Sequence, residues 1–146
     1  QNYGAKKYIR ITKSVSEIYI LDIVLSLVLG AILIFAGHYA VSLFMTEQNP
    51  DILFAAKSYL KAVGMCFPLV ATLFVLRNTL QGLGFTYSNT IAGAGELVGR
   101  ILVAFLFARV IGFEAVCFAA PVAWLFADIP LAIIYMKKRK ELLENS

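Results

Sequence analysis

Four apolar stretches separated by short polar breaks set the organisation of the chain. From Ile23 to Thr46 no residue is charged. At about 1.5 Å of rise per residue, such a stretch crosses a hydrocarbon core of about 30 Å with some tilt. Asp22 stands just before it, in an interfacial first turn. Upstream, Ser14-Val15-Ser16-Glu17 has the spacing of a capping box, with Ser14 as N-cap and Glu17 three positions on. That pattern predicts a helix entering the interface near Val15. Residues 1–13 are then expected outside the bilayer, with Tyr8 and Ile9 touching its surface.

The break Thr46-Glu47-Gln48-Asn49-Pro50-Asp51 ends the first span and opens the second. Asn49 suits a cap, and Pro50 suits the first helical position, where its missing N–H is no loss. The second helix is predicted from about Ile52 to Leu80, with its membrane core between Lys61 and Arg77. Lys57 and Lys61 snorkel from its outer end, and Pro68 bends it near mid-depth. Gln81–Asn89 then supplies Gly82 and Gly84 to stop one helix and Ser88 or Asn89 to cap another.

The third span, about Thr90–Ile111, is the least apolar because it carries Glu96, Arg100 and Arg109. Glu96 and Arg100 are four apart, share a helical face and are expected to form a structural intramembrane pair. Ala92, Gly93, Ala94, Gly95 and Gly99 allow a neighbouring helix to approach closely, which predicts a place inside a bundle. Gly112 closes this span. The turn is so short that the fourth helix, about Glu114–Met136, returns antiparallel. It includes Pro121, Trp124, Asp128 and Pro130 and ends on the cluster Lys137–Lys140. With spans at about 17–44, 55–80, 90–111 and 115–136, the chain reads as an all-α polytopic membrane protein of four transmembrane helices.

Composition supports that reading and narrows it. Of 146 residues, 60% are apolar and 15% charged, and the mean hydropathy is +0.80. A soluble domain is roughly 45–50% apolar and about 25% charged, so the excess is expected to be solvated by lipid. Disordered, collagen-like and disulfide-stapled chains are excluded, since Cys66 and Cys117 sit within apolar segments. The net charge of +4 invites a nucleic-acid reading. However, Lys6, Lys7, Arg10 and Lys13 precede the first span, and Lys137, Lys138, Arg139 and Lys140 follow the last. Eight of the 13 basic residues therefore flank spans, the positive-inside pattern, and no nucleic-acid partner is implied. Four spans place both ends on one side, and both are expected in the cytoplasm with the Gly82–Asn89 loop. Glu47–Asp51 and Gly112–Glu114 then face out. The expected location is the cell (plasma) membrane, as a multi-pass protein of a bacterial inner membrane. The chain begins at Gln1 without an initiator Met or an apolar signal region, which suggests a piece of a longer protein.

Enzymatic signatures are lacking. One histidine, His38, leaves no zinc site of the usual composition, and no HExxH, GxSxG or Walker sequence occurs, so no enzyme, metal or cofactor is expected. Gly82-x-Gly84 reads as a turn. Charges inside the spans are more informative, because lipid disfavours them and they mark pathways, relays or structural pairs. Asp128 lies about 12 Å from the terminal basic cluster along its helix. Two readings of it are open. It is a proton or cation site, or it is held by a salt bridge or hydrogen bond to Arg77 or Asn78 of the second helix. Likewise Phe67, Phe74, Phe105, Phe107, Phe118, Trp124 and Phe126 either line a chamber for aromatic cations or pack and face lipid.

Four stretches, in order and spacing, carry a resemblance: Gln1-Asn2-Tyr3-Gly4-Ala5 with the basic run after it, Leu76-Arg77-Asn78-Thr79-Leu80-Gln81-Gly82-Leu83-Gly84, Gly95-Glu96-Leu97-Val98-Gly99-Arg100, and Ala120-Pro121-Val122-Ala123-Trp124-Leu125-Phe126-Ala127-Asp128. Over essentially its whole length the chain resembles the C-terminal part of the multidrug and toxic compound extrusion (MATE) transporters. The resemblance implies a protein of twelve helices in two bundles, of which this chain looks like helices nine to twelve. It further implies export of cationic or amphipathic small molecules by alternating access, in exchange for sodium ions or protons. The partners it implies are those substrates, the lipid bilayer and the missing N-terminal helices of the same protein.

Several branches of that family place a carboxylate in the outer half of helix ten. The corresponding Phe67-Pro68-Leu69-Val70-Ala71-Thr72 has none, so the main coupling carboxylate is expected in the absent N-terminal part of the protein and the ion stays open. Asp128, Pro68, Arg77 and Asn78 are the transport or gating candidates. Alternative readings are a lipid-linked oligosaccharide flippase of the same superfamily, and a four-helix membrane scaffold that transports nothing.

Overall fold

The computed structural model describes residues 1–44 and 50–145, and among them every regular element is a helix. After a turn at the N-terminus, α1 runs unbroken from Tyr8 to Phe44. This corrects the expected start: Ser14 is not an N-cap but lies inside α1. The hydroxyls of this segment bond back along the helix instead of capping it, Thr12 Oγ1 donating to the Ile9 carbonyl at 3.0 Å and Ser16 Oγ to the Thr12 carbonyl at 3.0 Å. Satisfied in this way, they do not compete with the helical backbone. Glu17 faces Lys13 at 4.0 Å rather than the backbone of Ser14. The 37 residues of α1 make a rod about 55 Å long, so its basic first turns stand beyond a core of about 30 Å.

The expected Asn49 cap and most of the outward-facing Glu47–Asp51 break lie outside the described residues. Pro50 opens α2, as its fixed φ favours, and α2 runs Pro50–Met65. The second span is then two helices. α3 (Phe67–Gly82) follows a break at Cys66, and the two axes differ by 49°. Pro68 is the cause. It has no N–H to offer the Gly64 carbonyl and its ring excludes a continuous ladder, so the predicted bend becomes a complete interruption. The Cys66 amide closes α2 by donating to the carbonyls of Ala62 and Val63 at 3.3 and 3.1 Å.

The third span starts with α4 (Ser88–Leu102), passes through a π-helical stretch Val103–Phe107 and ends as α5 (Ala108–Ile111). Neither Ser88 nor Asn89 caps it. Tyr87 holds the cap position without a side-chain bond, and the fully buried Ser88 hydroxyl donates across to the Arg77 carbonyl of α3 at 3.3 Å. Gly112 closes α5 with φ 72°, a left-handed conformation that glycine adopts without a Cβ clash. The fourth segment is also interrupted, into α6 (Phe113–Cys117) and α7 (Ala119–Glu144). Pro121 cannot bond to the Cys117 carbonyl four residues back, so the ladder restarts. Nor does α7 stop at Met136. It carries the basic cluster outward as helix, supported by Lys138–Glu141 at 2.7 Å and Lys140–Glu144 at 3.8 Å.

Tyr8–Leu43, Ser88–Ile111 and Ala119–Glu144 are each long and apolar enough to cross a bilayer, and the bent α2–α3 pair, taken as one span, makes a fourth. The chain is an all-α polytopic membrane protein. Its core lies where α3, α4 and α7 meet: Leu73, Leu76 and Leu80 pack with Ala92, Ala127 and Leu131, and Trp124, Phe85 and Tyr135 close the rim. α4 and α7 form the most extensive pair, while α1 packs along α2 and α3. Within this chain α4 is buried on one face. Its small residues Ala92 and Gly99 turn to α7, and Leu97, Val98 and Ile101 are exposed. Small side chains permit close approach by one neighbour and do not require enclosure. α1 likewise exposes Ile20, Leu21, Val24 and Phe35, surface that lipid solvates at no hydrophobic cost.

Candidate functional site

Among the charged side chains of the spans, Asp128 stands apart. It is 7% exposed, and both carboxylate oxygens are buried without a hydrogen-bond partner. A lone ionised carboxylate in an apolar surrounding is disfavoured by several kcal/mol unless a proton or a cation joins it. α7 places it there because Ala127 and Leu131 beside it belong to the core. Along the same helical stripe, at steps of four, three and four residues, follow Ala132, Tyr135 and Arg139.

The suggested pairing with the second helix is not made. Arg77 instead holds its guanidinium over the Phe74 ring, 4.8 Å from the centroid, and Asn78 is exposed. Arg77 therefore satisfies its charge against an aromatic face on its own helix. The Glu96–Arg100 pair does form, with Arg100 Nη2 donating to Glu96 Oε2 at 3.1 Å. It lies on the partly exposed side of α4, and neither residue reaches Asp128.

The interruption at Cys66 and Pro68 is tied to α1 by a contact that sequence reasoning missed. Thr72 Oγ1 donates to the Pro68 carbonyl at 2.9 Å. Its single hydrogen is thereby used, so the 3.2 Å contact between Tyr19 and Thr72 is a bond donated by the Tyr19 hydroxyl. The available signal was one threonine in the apolar run 69–76. Its partner lay 53 positions away, beyond the reach of any local pattern. Beside this contact a cavity of about 320 Å³ opens between α1, α3 and α7, lined among others by Ser16, Tyr19, Thr72, Tyr135 and Arg139.

The aromatic residues do not gather into one chamber. Phe74 and Phe105 are exposed and Trp124 packs on the core. Phe107 and Phe118 line a separate cavity of about 280 Å³ with Glu114 near the turn at Gly112. Among the described residues no group of His, Cys, Asp or Glu is arranged to hold a metal ion. His38 stacks on Tyr39, their centroids 3.8 Å apart.

The site thus consists of a buried carboxylate on α7, a proline-broken helix pair tethered through Thr72 to Tyr19, and a cavity beside Ala132, Tyr135 and Arg139 toward the basic end of α7. Comparison with known proteins gives one match. The family model described as MatE matches residues 1–106, which takes in α1 to α4 and most of the π-helical stretch and ends before α7. No curated protein and no solved structure matches the chain.

Proposed function

The chain belongs to the MatE family of transporters, and from that membership we propose that it works within an antiporter exporting cationic and amphipathic drugs in exchange for protons or sodium ions. The observation that carries the proposal is the buried Asp128 carboxylate with no hydrogen-bond partner. A carboxylate in that condition takes a proton or a small cation readily and binds it in preference to standing charged and alone. Loading it removes a buried charge from the α3–α7 interface, and the load can change the packing of those helices. The broken pair at Pro68 gives the movement a place to occur. Discontinuous helices at mid-membrane are where repeat-built transporters concentrate binding and rearrangement. Arg77 and Asn78, in the last turns of α3, and the connection 83–87 between α3 and α4 then transmit the shift to the cytoplasmic end. The termini face the cytoplasm, and the protein resides in a bacterial inner membrane.

The test uses the full-length protein in an efflux-deficient bacterium, following extrusion of a fluorescent cationic dye. Dye efflux is expected to stop when an ionophore collapses the proton or the sodium gradient. Absence of gradient-dependent extrusion for every dye tested would overturn the drug-export reading and favour a scaffold.

A further inference from the structure

The cavity between α1, α3 and α7 is apolar along its walls and cationic at one end. Val15, Ile20, Val75, Leu76 and Ala132 form the walls, and Arg139 stands at the basic end of α7. We propose that this groove holds an acyl chain of an anionic phospholipid from the cytoplasmic leaflet, with the lipid phosphate at Arg139. The proposal concerns lipid binding and does not rest on what the protein transports.

Three observations support it. The first is charge. Lys138 and Lys140 are engaged by Glu141 and Glu144, whereas no described carboxylate pairs with Arg139. Arg139 also borders a second, open hollow with Met136, Lys140, Leu143 and Glu144, whose carboxylate is taken up by Lys140. Its guanidinium therefore stands where groove and aqueous surface meet, free for the two-pronged contact it makes with phosphate.

The second is shape. A volume of about 320 Å³ between apolar walls suits a flexible hydrocarbon chain lying along the groove. The third is depth. Arg139 and Ala132 are seven residues apart, about 10 Å along the axis, which is the outer third of a hydrocarbon core of about 30 Å. A chain hanging from a headgroup at Arg139 occupies that depth. A free phosphate has no use for the apolar walls.

The full-length protein, purified in detergent, would be mixed with phosphatidylglycerol or phosphatidylcholine of identical chains, and retained lipid counted by native mass spectrometry. Phosphatidylglycerol is expected to be retained roughly fivefold better, the effect of one well-placed basic residue at a membrane surface. Arg139→Gln should abolish that preference, while Lys140→Gln, whose charge is already engaged by Glu144, should leave it. Ala132→Trp fills the groove and should lower retention of both lipids. Glycerol phosphate, which carries a headgroup without chains, should not displace the bound lipid. Equal retention of the two lipids, a preference that survives Arg139→Gln, or displacement by glycerol phosphate would overturn the proposal. So would an absence of retained lipid, the result expected if another helix of the protein covers the groove.

Discussion

Gly95 lies flat against the backbone of Phe126. A Cβ built on Gly95 would stand 2.7 Å from the Phe126 carbonyl oxygen and 2.9 Å from Ala127 Cα. That carbonyl is the one Pro130, four residues on, leaves without an N–H in the α7 ladder. The space a side chain would need is thus taken by an oxygen that faces α4, a setting for a Cα–H···O contact. One turn later Gly99 repeats the approach, with Ala123 Cα 2.7 Å from its own would-be Cβ. The α4–α7 interface is therefore set by two glycines on one helix and by Ala123 and Ala127 on the other.

Gly95→Ala and Gly99→Ala should each destabilise the protein by about 1–3 kcal/mol, since overpacking here is relieved only by moving backbone. Gly93→Ala is the control, because nothing lies within 4 Å of a Cβ at that position. Thermal unfolding in detergent measures all three. Equal loss at positions 93 and 95 would show that helix propensity, and not the close approach, governs this span.

A second close approach joins α1 to α2, where Gly30 would clash with the Gly64 carbonyl, and a Cβ on Gly64 would come 2.8 Å from the Gly30 carbonyl oxygen. Gly37 looks similar in sequence but meets only the tip of the Leu60 side chain, at 2.7 Å, and a leucine tip can rotate aside. Gly30→Ala should therefore reduce folded yield and melting temperature well beyond Gly37→Ala. The reverse order would place the α1–α2 contact elsewhere.

That contrast shows what was legible in the sequence and what was not. The apolar helical spans and the Glu96–Arg100 pair follow from the length of apolar runs and from i,i+4 spacing, which are local. The close approaches at Gly30, Gly64 and Gly95 and the Tyr19–Thr72 tether depend on which helix faces which, and that requires the tertiary arrangement. Helix ends were misjudged where a local rule competed with another outlet. Ser14 has capping chemistry but sits in a segment that continues helically, and Ser88 spends its hydroxyl on Arg77. Proline positions were legible, but Pro68 and Pro121 interrupt their helices where only a bend was expected at Pro68.

Pro68→Ala restores an N–H at the second residue of α3, opposite the Gly64 carbonyl. The α2–α3 pair should straighten from its 49° angle. The fold should be retained, because the Tyr19–Thr72 bond does not involve the proline ring. Spin labels on the exposed positions Tyr59 and Gln81 would report a longer separation by pulsed EPR. Dye extrusion should slow if this break is the moving joint. A straightened pair with unchanged extrusion would remove Pro68 from the gating candidates.

Asp128→Asn separates coupling from packing. Asparagine keeps the shape of the side chain and removes the buried charge, so the variant should fold at least as well, since a neutral amide is less disfavoured there than an unpaired carboxylate. If Asp128 accepts the coupling ion, gradient-driven dye extrusion should fall by roughly tenfold, the scale of coupling free energies between linked sites. Dye binding to the resting protein should remain, because ion loading and substrate binding are distinct events linked only through the conformational change. Comparing melting temperature, dye affinity and extrusion rate in one preparation resolves the two roles. A lower melting temperature with proportionate loss of every activity would assign Asp128 to packing, whereas a stable, dye-binding and uncoupled variant would assign it to the ion path.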